Sequence, residues 1–444
     1  SPDMYIAAIR MNWELTEKTR FQISASAILG QRNSVQFIGS PLVADTLGPR
    51  IVDRDYYNSY SAEAKLMHEY RLFKRQHTVL AGIRWINNTT LRSQQGGGTT
   101  AGDYDLSLIS PYKIDINFHT DGYAGFIENS FSIAKKLTAT AGIRYEVNST
   151  SMRGKFFNTR AEDIPVGLNR NILLGGVGIQ YSVSPHMQVY GNFSQAYRPV
   201  LYSDILPASP LDRVNPGLKD AYGSNSEAGI RGSIENLLFY DITLFAMVYN
   251  NRAGQVIQEE NSNVYFYKTN IGNTLATGIE YYLELFVSRY FKKLASQGLN
   301  MSVYTSGMYN NASYTSGIVA KGAENINVTN NRLENAPEFI NRAGINFYYR
   351  GFSTAVQASH VSSMYTDALN TQSTPTGVNG IVPAYTVFDF NMAYAITEKV
   401  NIRASINNFT DKMYYTRRAT GYPGPGILPS DGRSFVITLS AGVD

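Results

Sequence analysis

The chain of 444 residues has no cysteine, which removes disulfide scaffolds, thiolate zinc sites, iron–sulfur clusters and cysteine nucleophiles. Histidine is scarce, five in all, and none stands with carboxylates at metal-ligand spacing, so no protein-ligated metal or cofactor is expected. No Gly-x-Ser-x-Gly elbow surrounds any serine, and Gly96-Gly97-Gly98 reads as part of a connection rather than a strand-to-helix phosphate cradle. The expectation is a protein that is not an enzyme. No run reaches the roughly eighteen apolar residues of a membrane-spanning helix; the longest resembling one is Leu244-Phe245-Ala246-Met247-Val248-Tyr249. The net charge of +4 is spread thinly, which gives no ground for nucleic-acid binding. The 16 prolines fall in connections or near the chain start, as expected where each would otherwise delete a ladder hydrogen bond.

What the chain has is alternation. In about seventeen windows of about ten residues, apolar and polar side chains take turns, the signature of strands with one greasy and one wet face. Phe435, Ile437, Leu439, Ala441 and Val443 oppose Val436, Thr438, Ser440, Gly442 and Asp444. Leu137, Ala139, Ala141, Ile143, Tyr145 and Val147 likewise oppose Thr138, Thr140, Gly142, Arg144, Glu146 and Asn148. A slip of one residue would put Arg in lipid, at up to about 2–4 kcal/mol near mid-membrane. The 32 tyrosines and 21 phenylalanines suit the aromatic girdles where lipid meets water. A mean hydropathy of −0.22 fits a wall that is apolar on one face only.

The connections sort into two kinds. Short ones lie at Thr16–Thr19, Phe73–Gln76, Ala134–Lys136, Ser184–His186, Ile234–Leu237, near Arg350-Gly351 and at Thr397–Lys399. Long ones alternate with them, at roughly 31–55, 91–115, 150–169, 199–221, 312–336, 366–383 and 413–431. The connection around 251–268 is intermediate, and Ser288–Gln297 is long for a short-side turn. The fold class is therefore all-β, a transmembrane antiparallel β-barrel with short turns on the periplasmic side and long loops outside. Because bacterial barrels close on an even strand count, and because the first turn makes the first strand run inward, the 444 residues read as one domain, the C-terminal part of a larger barrel of 22 strands. Alone it should leave an open edge and aggregate.

Asn192-Phe193-Ser194-Gln195-Ala196-Tyr197-Arg198-Pro199, then Asn215-Pro216-Gly217-Leu218-Lys219 and Glu227-Ala228-Gly229, resemble return-strand motifs of the TonB-dependent receptors. Thr269-Asn270-Ile271-Gly272 with Gly278-Ile279-Glu280 is similar to another of their strand pairs. Asn331-Arg332-Leu333-Glu334-Asn335-Ala336-Pro337-Glu338-Phe339, Val382-Pro383-Ala384-Tyr385 and Asn407-Asn408-Phe409-Thr410-Asp411 follow in family order. Arg417-Arg418 and Pro423-Gly424-Pro425-Gly426-Ile427-Leu428-Pro429 look most like the ferric citrate branch. Nothing resembles the plug domain or the TonB-contacting segment, and the chain stops at Asp444 rather than on the family's usual terminal aromatic.

The resemblance implies energy-coupled uptake of ferric chelates, ferric citrate or a related siderophore, across the bacterial outer membrane. Its partners would be the chelate, the TonB complex acting through the absent N-terminal part, and outer-membrane lipid with lipopolysaccharide. Substrate-contact candidates are Arg417, Arg418 and Tyr422 in the last long loop, and Tyr197, Arg198, Tyr202 and Arg213 around the 199–221 loop, since Arg gives oxygen-rich anions planar charge-assisted hydrogen bonds. Girdle packing and pairing with lipopolysaccharide phosphate or loop carboxylates account for the same residues. The wet-face charges Glu63, Lys65, Arg144, Glu146, Glu227, Arg231, Glu280 and Glu284 are expected to pair with one another. A receptor for haem, cobalamin or oligosaccharide, or an adhesin-type barrel that transports nothing, stays open as an alternative. Only His119 and His360 lie where a haem could be met.

Overall fold

Alternation becomes backbone pairing in the computed structural model, which describes residues 2–37, 44–157, 167–206, 212–260, 263–291, 293, 296–419 and 426–442. Among them are seventeen strands of eight residues or more: β1 (Pro2–Thr16), β2 (Thr19–Gln36), β3 (Ile51–Leu72), β4 (Arg75–Gly98), β5 (Ile114–Ala134), β6 (Leu137–Phe156), β7 (Gly167–Ser184), β8 (Met187–Arg198), β9 (Ala221–Ile234), β10 (Leu238–Glu260), β11 (Asn263–Leu285), β12 (Leu299–Lys321), β13 (Phe339–Tyr349), β14 (Phe352–Val361), β15 (Tyr385–Ala395), β16 (Val400–Asn407) and β17 (Ser434–Ala441). Neighbours in sequence pair antiparallel from β1 through β6 and again from β8 through β17. The expected count and the meander hold. Two helices of one turn, α1 (Tyr202–Ile205) and α2 (Val287–Tyr290), sit in connections.

Two compact units divide the chain, Ser1–Val177 with Pro199–Leu218 and Gly178–Arg198 with Lys219–Asp444. In the second, register carries the two-faced reading directly. Phe435 lies opposite Ile406, Ile437 opposite Ala404 and Leu439 opposite Ile402, whereas Arg403 lies opposite Thr438 and Asn401 opposite Ser440. In the first, Ile143 faces Ile127 and Val147 faces Tyr123. The apolar face is the exposed one: Ile437 is 75% and Ile143 57% accessible. An exposed greasy face of this kind, present in each unit, is intolerable in water and natural against lipid.

The sequence reading of the connections needs correction. Much of 31–55, 91–115 and 251–268 is paired strand: β2 runs to Gln36, β4 to Gly98, and β10 and β11 stay paired, across a bulge at Arg252, out to Glu260↔Asn263. At 24 residues, β4 is roughly twice the ~9–11 residues a tilted strand needs to cross a bilayer. Polar residues on both faces beyond the lipid band hid these extensions from a hydropathy pattern. The long connection before β12 contains α2 in place of a plain turn. Short turns at Phe73-Lys74, Glu235-Asn236 and Arg350-Gly351 have positive φ at both central residues, the turn whose twist matches its strands.

Candidate functional site

In the first unit the polar face of the sheet ends, toward the long connections, in a charged ladder. Arg32 of β2 lies directly opposite Asp55 of β3, which lies directly opposite Arg92 of β4. Asp55 is fully buried. It accepts hydrogen bonds from Arg32 Nη2, from Gln94 Nε2 at 3.0 and 3.1 Å and from Tyr57 Oη at 3.3 Å, with Arg92 Nε 3.7 Å away. One carboxylate thus holds two guanidinium groups whose side chains remain 45% and 37% exposed. Within this triad two cations meet one anion, with Asp53, the next residue on that face of β3, taken up by Gln36 and the Gln95 N–H, and the N–H groups of fixed, partly exposed arginines suit an oxygen-rich anion.

An apolar floor adjoins the ladder. Ile116, Phe118 and Met152, on the same face of β5 and β6, are almost wholly buried, as are Val200, Ile205 and Leu206 of the connection that carries α1. That connection folds onto the sheet: Arg170 donates to the Val200 carbonyl at 3.1 Å, and the Tyr202 ring rests 4.2 Å from Phe118. Tyr202 Oη also lies 2.7 Å from Thr120 Oγ1. Arg92 also stands over Phe118, 5.9 Å from its centroid. Burial pushes the Tyr202 phenol above its usual range, so it stays a neutral hydroxyl at physiological pH.

Above the ladder the connections are braced by carboxylates. Arg50, itself buried, forks onto Asp45 at 2.8 and 2.5 Å and donates to the Ala101 carbonyl. Asp105 accepts from Thr99, Thr100 and Ser107 hydroxyls and from Ser107 N. The Arg50 bond holds the Asp45 carboxyl below the usual range; the Ser107 hydroxyl, then Thr100, does the same for Asp105. A depressed acid contributes order above its unfolded value near ~4 and loses it as pH falls through the folded value. Limited proteolysis of the 44–50 and 99–107 segments should therefore be flat from neutrality to about pH 4 and rise only below it. Arg50→Ala should raise cutting at neutral pH already.

The second unit carries its own long-connection cluster. Arg252 of β10 pairs with Glu334, whose other oxygen takes the Tyr314 hydroxyl at 2.9 Å. Asn370 clasps the Arg332 backbone through both its amide atoms at 2.8 Å, and Asn331 reaches the Ala368 carbonyl at 2.9 Å. Asn408, nearly buried, accepts from Lys412 N at 2.8 Å and donates to the Lys412 carbonyl at 3.0 Å. The motif stretch 331–339 is thus a brace for the loop that follows β14.

The structure places the sequence candidates in separate surroundings. Arg418 donates to the Gly377 carbonyl at 2.6 Å, the Ile381 carbonyl at 3.0 Å and Tyr415 Oη at 3.0 Å, so it positions a loop. Arg417, one step along the short strand Tyr415–Ala419, is exposed. Tyr422 lies outside the described residues. Tyr197 pairs with Tyr222 on the apolar face while Arg198 pairs with Ala221 on the polar one, and Arg213 is exposed in the short strand Asp212–Val214. Tyr202 joins the Arg92 cluster through Phe118. Of the wet-face charges, Lys65 pairs with Glu63 and Arg144 with Glu146, while Glu227 and Glu284 take Asn192 and Tyr282. His119 is bound to Asp121 and Thr89, and His360 to Thr386. Arg32, Asp55, Arg92 and Gln94 escaped the sequence reading, which had put them in connections; counting on by twos from Glu63 and Lys65 leads to Asp55.

The chain matches the family model of the TonB dependent receptor-like β-barrel over residues 6–409. Similar solved structures include the ferric citrate transporter FecA in its unliganded form, at 19% identity and TM-score 0.80 over 99% of this chain and 61% of that one. The siderophore receptor PiuA from Acinetobacter baumannii follows at 14% and 0.75, over 99% and 64%, and the ferric yersiniabactin uptake receptor FyuA from Yersinia pestis at 15% and 0.73, over 99% and 61%. The chain thus spans about three fifths of each, and the likeness is one of fold. No curated protein matches.

Proposed function

The chain belongs to the TonB dependent receptor-like β-barrel family, a family of outer-membrane proteins, and from that premise we propose that it forms the wall of an importer for ferric chelates, ferric citrate or a related siderophore. The observation that carries the reading is the Arg32–Asp55–Arg92 ladder, with Tyr202 and Phe118 as its apolar shoulder. A ferric citrate or carboxylate siderophore complex presents a rim of anionic oxygens that fixed guanidinium groups bind through charge-assisted hydrogen bonds. A more apolar chelate edge would rest on the Tyr202 ring. Arg417, in the other unit, offers an exposed cation for the same chemistry, and Arg418 acts through the loop it holds.

Movement of the chelate would need parts beyond a wall: a plug domain and the TonB energy-transducing complex, with further strands pairing at β1 and β17, each of which has one strand neighbour among the described pairings. Bacterial outer-membrane lipid and lipopolysaccharide would surround the apolar face.

The test is binding of ferric dicitrate, a hydroxamate siderophore and haem to the detergent-solubilised full-length protein, followed by quenching of intrinsic fluorescence. An anionic ferric chelate should bind, and Arg92→Gln should weaken it by about tenfold or more, the equivalent of one charge-assisted hydrogen bond of ~1.5–3 kcal/mol. Arg417→Gln reports separately on the second unit. Silence toward both ferric chelates with a response to haem would sink the reading.

A further inference from the structure

Reversals between strands of a membrane wall need be no more than polar, and three here are not. In the second unit the connection between β11 and β12 leaves Tyr290 71% and Phe291 51% exposed. Arg289 stacks on Phe286, 4.3 Å from its centroid, and Lys293 is exposed beside them. The adjacent turn brings a fourth element. Leu299 at the start of β12 lies opposite Tyr349, and Arg350 stands 5.3 Å over the Tyr349 ring. No carboxylate pairs with Arg289, Lys293 or Arg350 among the described residues.

The location matters as much as the composition. Tyr349 shares the face of Ile345, which register sets opposite Val303 of β12, itself opposite Leu285 of β11; all three are exposed. That stripe is the lipid-facing band, and it ends at Tyr349 with a cation just beyond. Ser288 is fully buried and its Oγ accepts the Met301 N–H at 3.2 Å, which ties the connection to the start of β12 while Tyr290 and Phe291 stay exposed.

The first unit repeats the combination by itself. Phe73 is 86% exposed at the tip of the β3–β4 turn, next to Lys74, with φ of 50° and 62°. A bulky aromatic in left-handed backbone is a poor choice for a turn that meets only water, where Asn-Gly would serve. It is a good one where the ring enters an interface.

We propose that these turns bind the headgroups of anionic phospholipid, each in the leaflet it meets, the aromatic rings entering the acyl boundary and the cations meeting phosphate. The proposal rests on the reading of the chain as a membrane wall. Aromatic and basic residues together are the side chains that partition to a charged interface; Arg289 gives one nitrogen to the Asn236 carbonyl, and with no carboxylate paired to it the remaining N–H groups can meet phosphate.

The experiment uses full-length protein, reconstituted in nanodiscs of phosphatidylcholine mixed with phosphatidylglycerol, then released into detergent for native mass spectrometry of retained lipid. Phosphatidylglycerol should be retained over phosphatidylcholine. The Arg289→Gln/Lys293→Gln/Arg350→Gln protein should insert equally well and lose about fivefold of that preference per cation removed. Tyr290→Ser/Phe291→Ser should lose retention of both lipids. Equal retention of the two lipids by the unaltered protein, or a preference untouched by the triple change, as an acidic protein partner at these turns would give, overturns the proposal. Failure to enter either bilayer overturns the wall reading itself and this one with it.

Discussion

Asp55→Ala should lower the thermal midpoint of the detergent-solubilised full-length protein more than any other single change to a charged residue of its polar face. The carboxylate is fully buried and sits between Arg32 and Arg92, with Gln94 and Tyr57 also directed at it. Truncation leaves two guanidinium groups facing each other across a gap with nothing between, and unpairing a buried charge costs about 3–5 kcal/mol. Because both arginines are partly exposed, water recovers part of that, which places the expectation nearer ~3 kcal/mol. Asp55→Asn keeps the volume and one hydrogen-bonding oxygen and should fall between. Arg92→Gln/Asp55→Asn should cost less than the sum of its parts, the mark of direct coupling. An Asp55→Ala protein that melts with the unaltered one would show that the carboxylate is solvated and that the arginines owe their positions to something else.

Chelate binding should suffer in the same variant through a different route. Asp55 touches no ligand in the proposed arrangement; it fixes the direction of the two groups that do. Its removal should therefore slow nothing at the aromatic shoulder of Tyr202 and Phe118, which the α1 connection holds by burial.

How much of this was legible in the chain follows from where hydropathy has contrast. Inside the lipid band one face must be apolar, so Ile402, Ala404 and Ile406 against Arg403 and Ser405 can be read directly, and the register pairs them as read. Beyond the band both faces meet water, contrast vanishes, and β2, β3 and β4 continue unseen through Arg32, Asp55 and Arg92. The proposed site lies in that stretch. Type of residue also misled: Arg417-Arg418 looks like a doubled cation for a ligand, yet neighbours along a strand point to opposite sides, and Arg418 went to backbone carbonyls. Tyr202 could be named because it stands beside the Tyr197-Arg198-Pro199 step, but its partner Thr120 lies 82 residues away, a distance no local pattern crosses. The same holds for Asn370 and Arg332, joined across 38 residues.

Ile143→Arg against Thr140→Arg is the sharpest test of which face meets lipid. Both positions lie on β6; Ile143 pairs with Ile127 on the exposed apolar face, and Thr140 pairs with Ser130 on the face of Arg144 and Glu146. At 57% exposure, Ile143 in a water-soluble protein would accept arginine with little loss, since single exposed apolar residues on such surfaces are incidental. In a bilayer the same change puts a guanidinium near mid-membrane and costs about 2–4 kcal/mol. The expected result, from urea unfolding of the full-length protein in vesicles, is a loss of that size for Ile143→Arg and under about 1 kcal/mol for Thr140→Arg. The native sequence already contains half of the contrast, because Arg144 occupies the very next position at no evident cost, paired with Glu146 on the wet side. Equal losses at the two positions would mean that the sheet has water on both faces, and the outer-membrane reading would go with it.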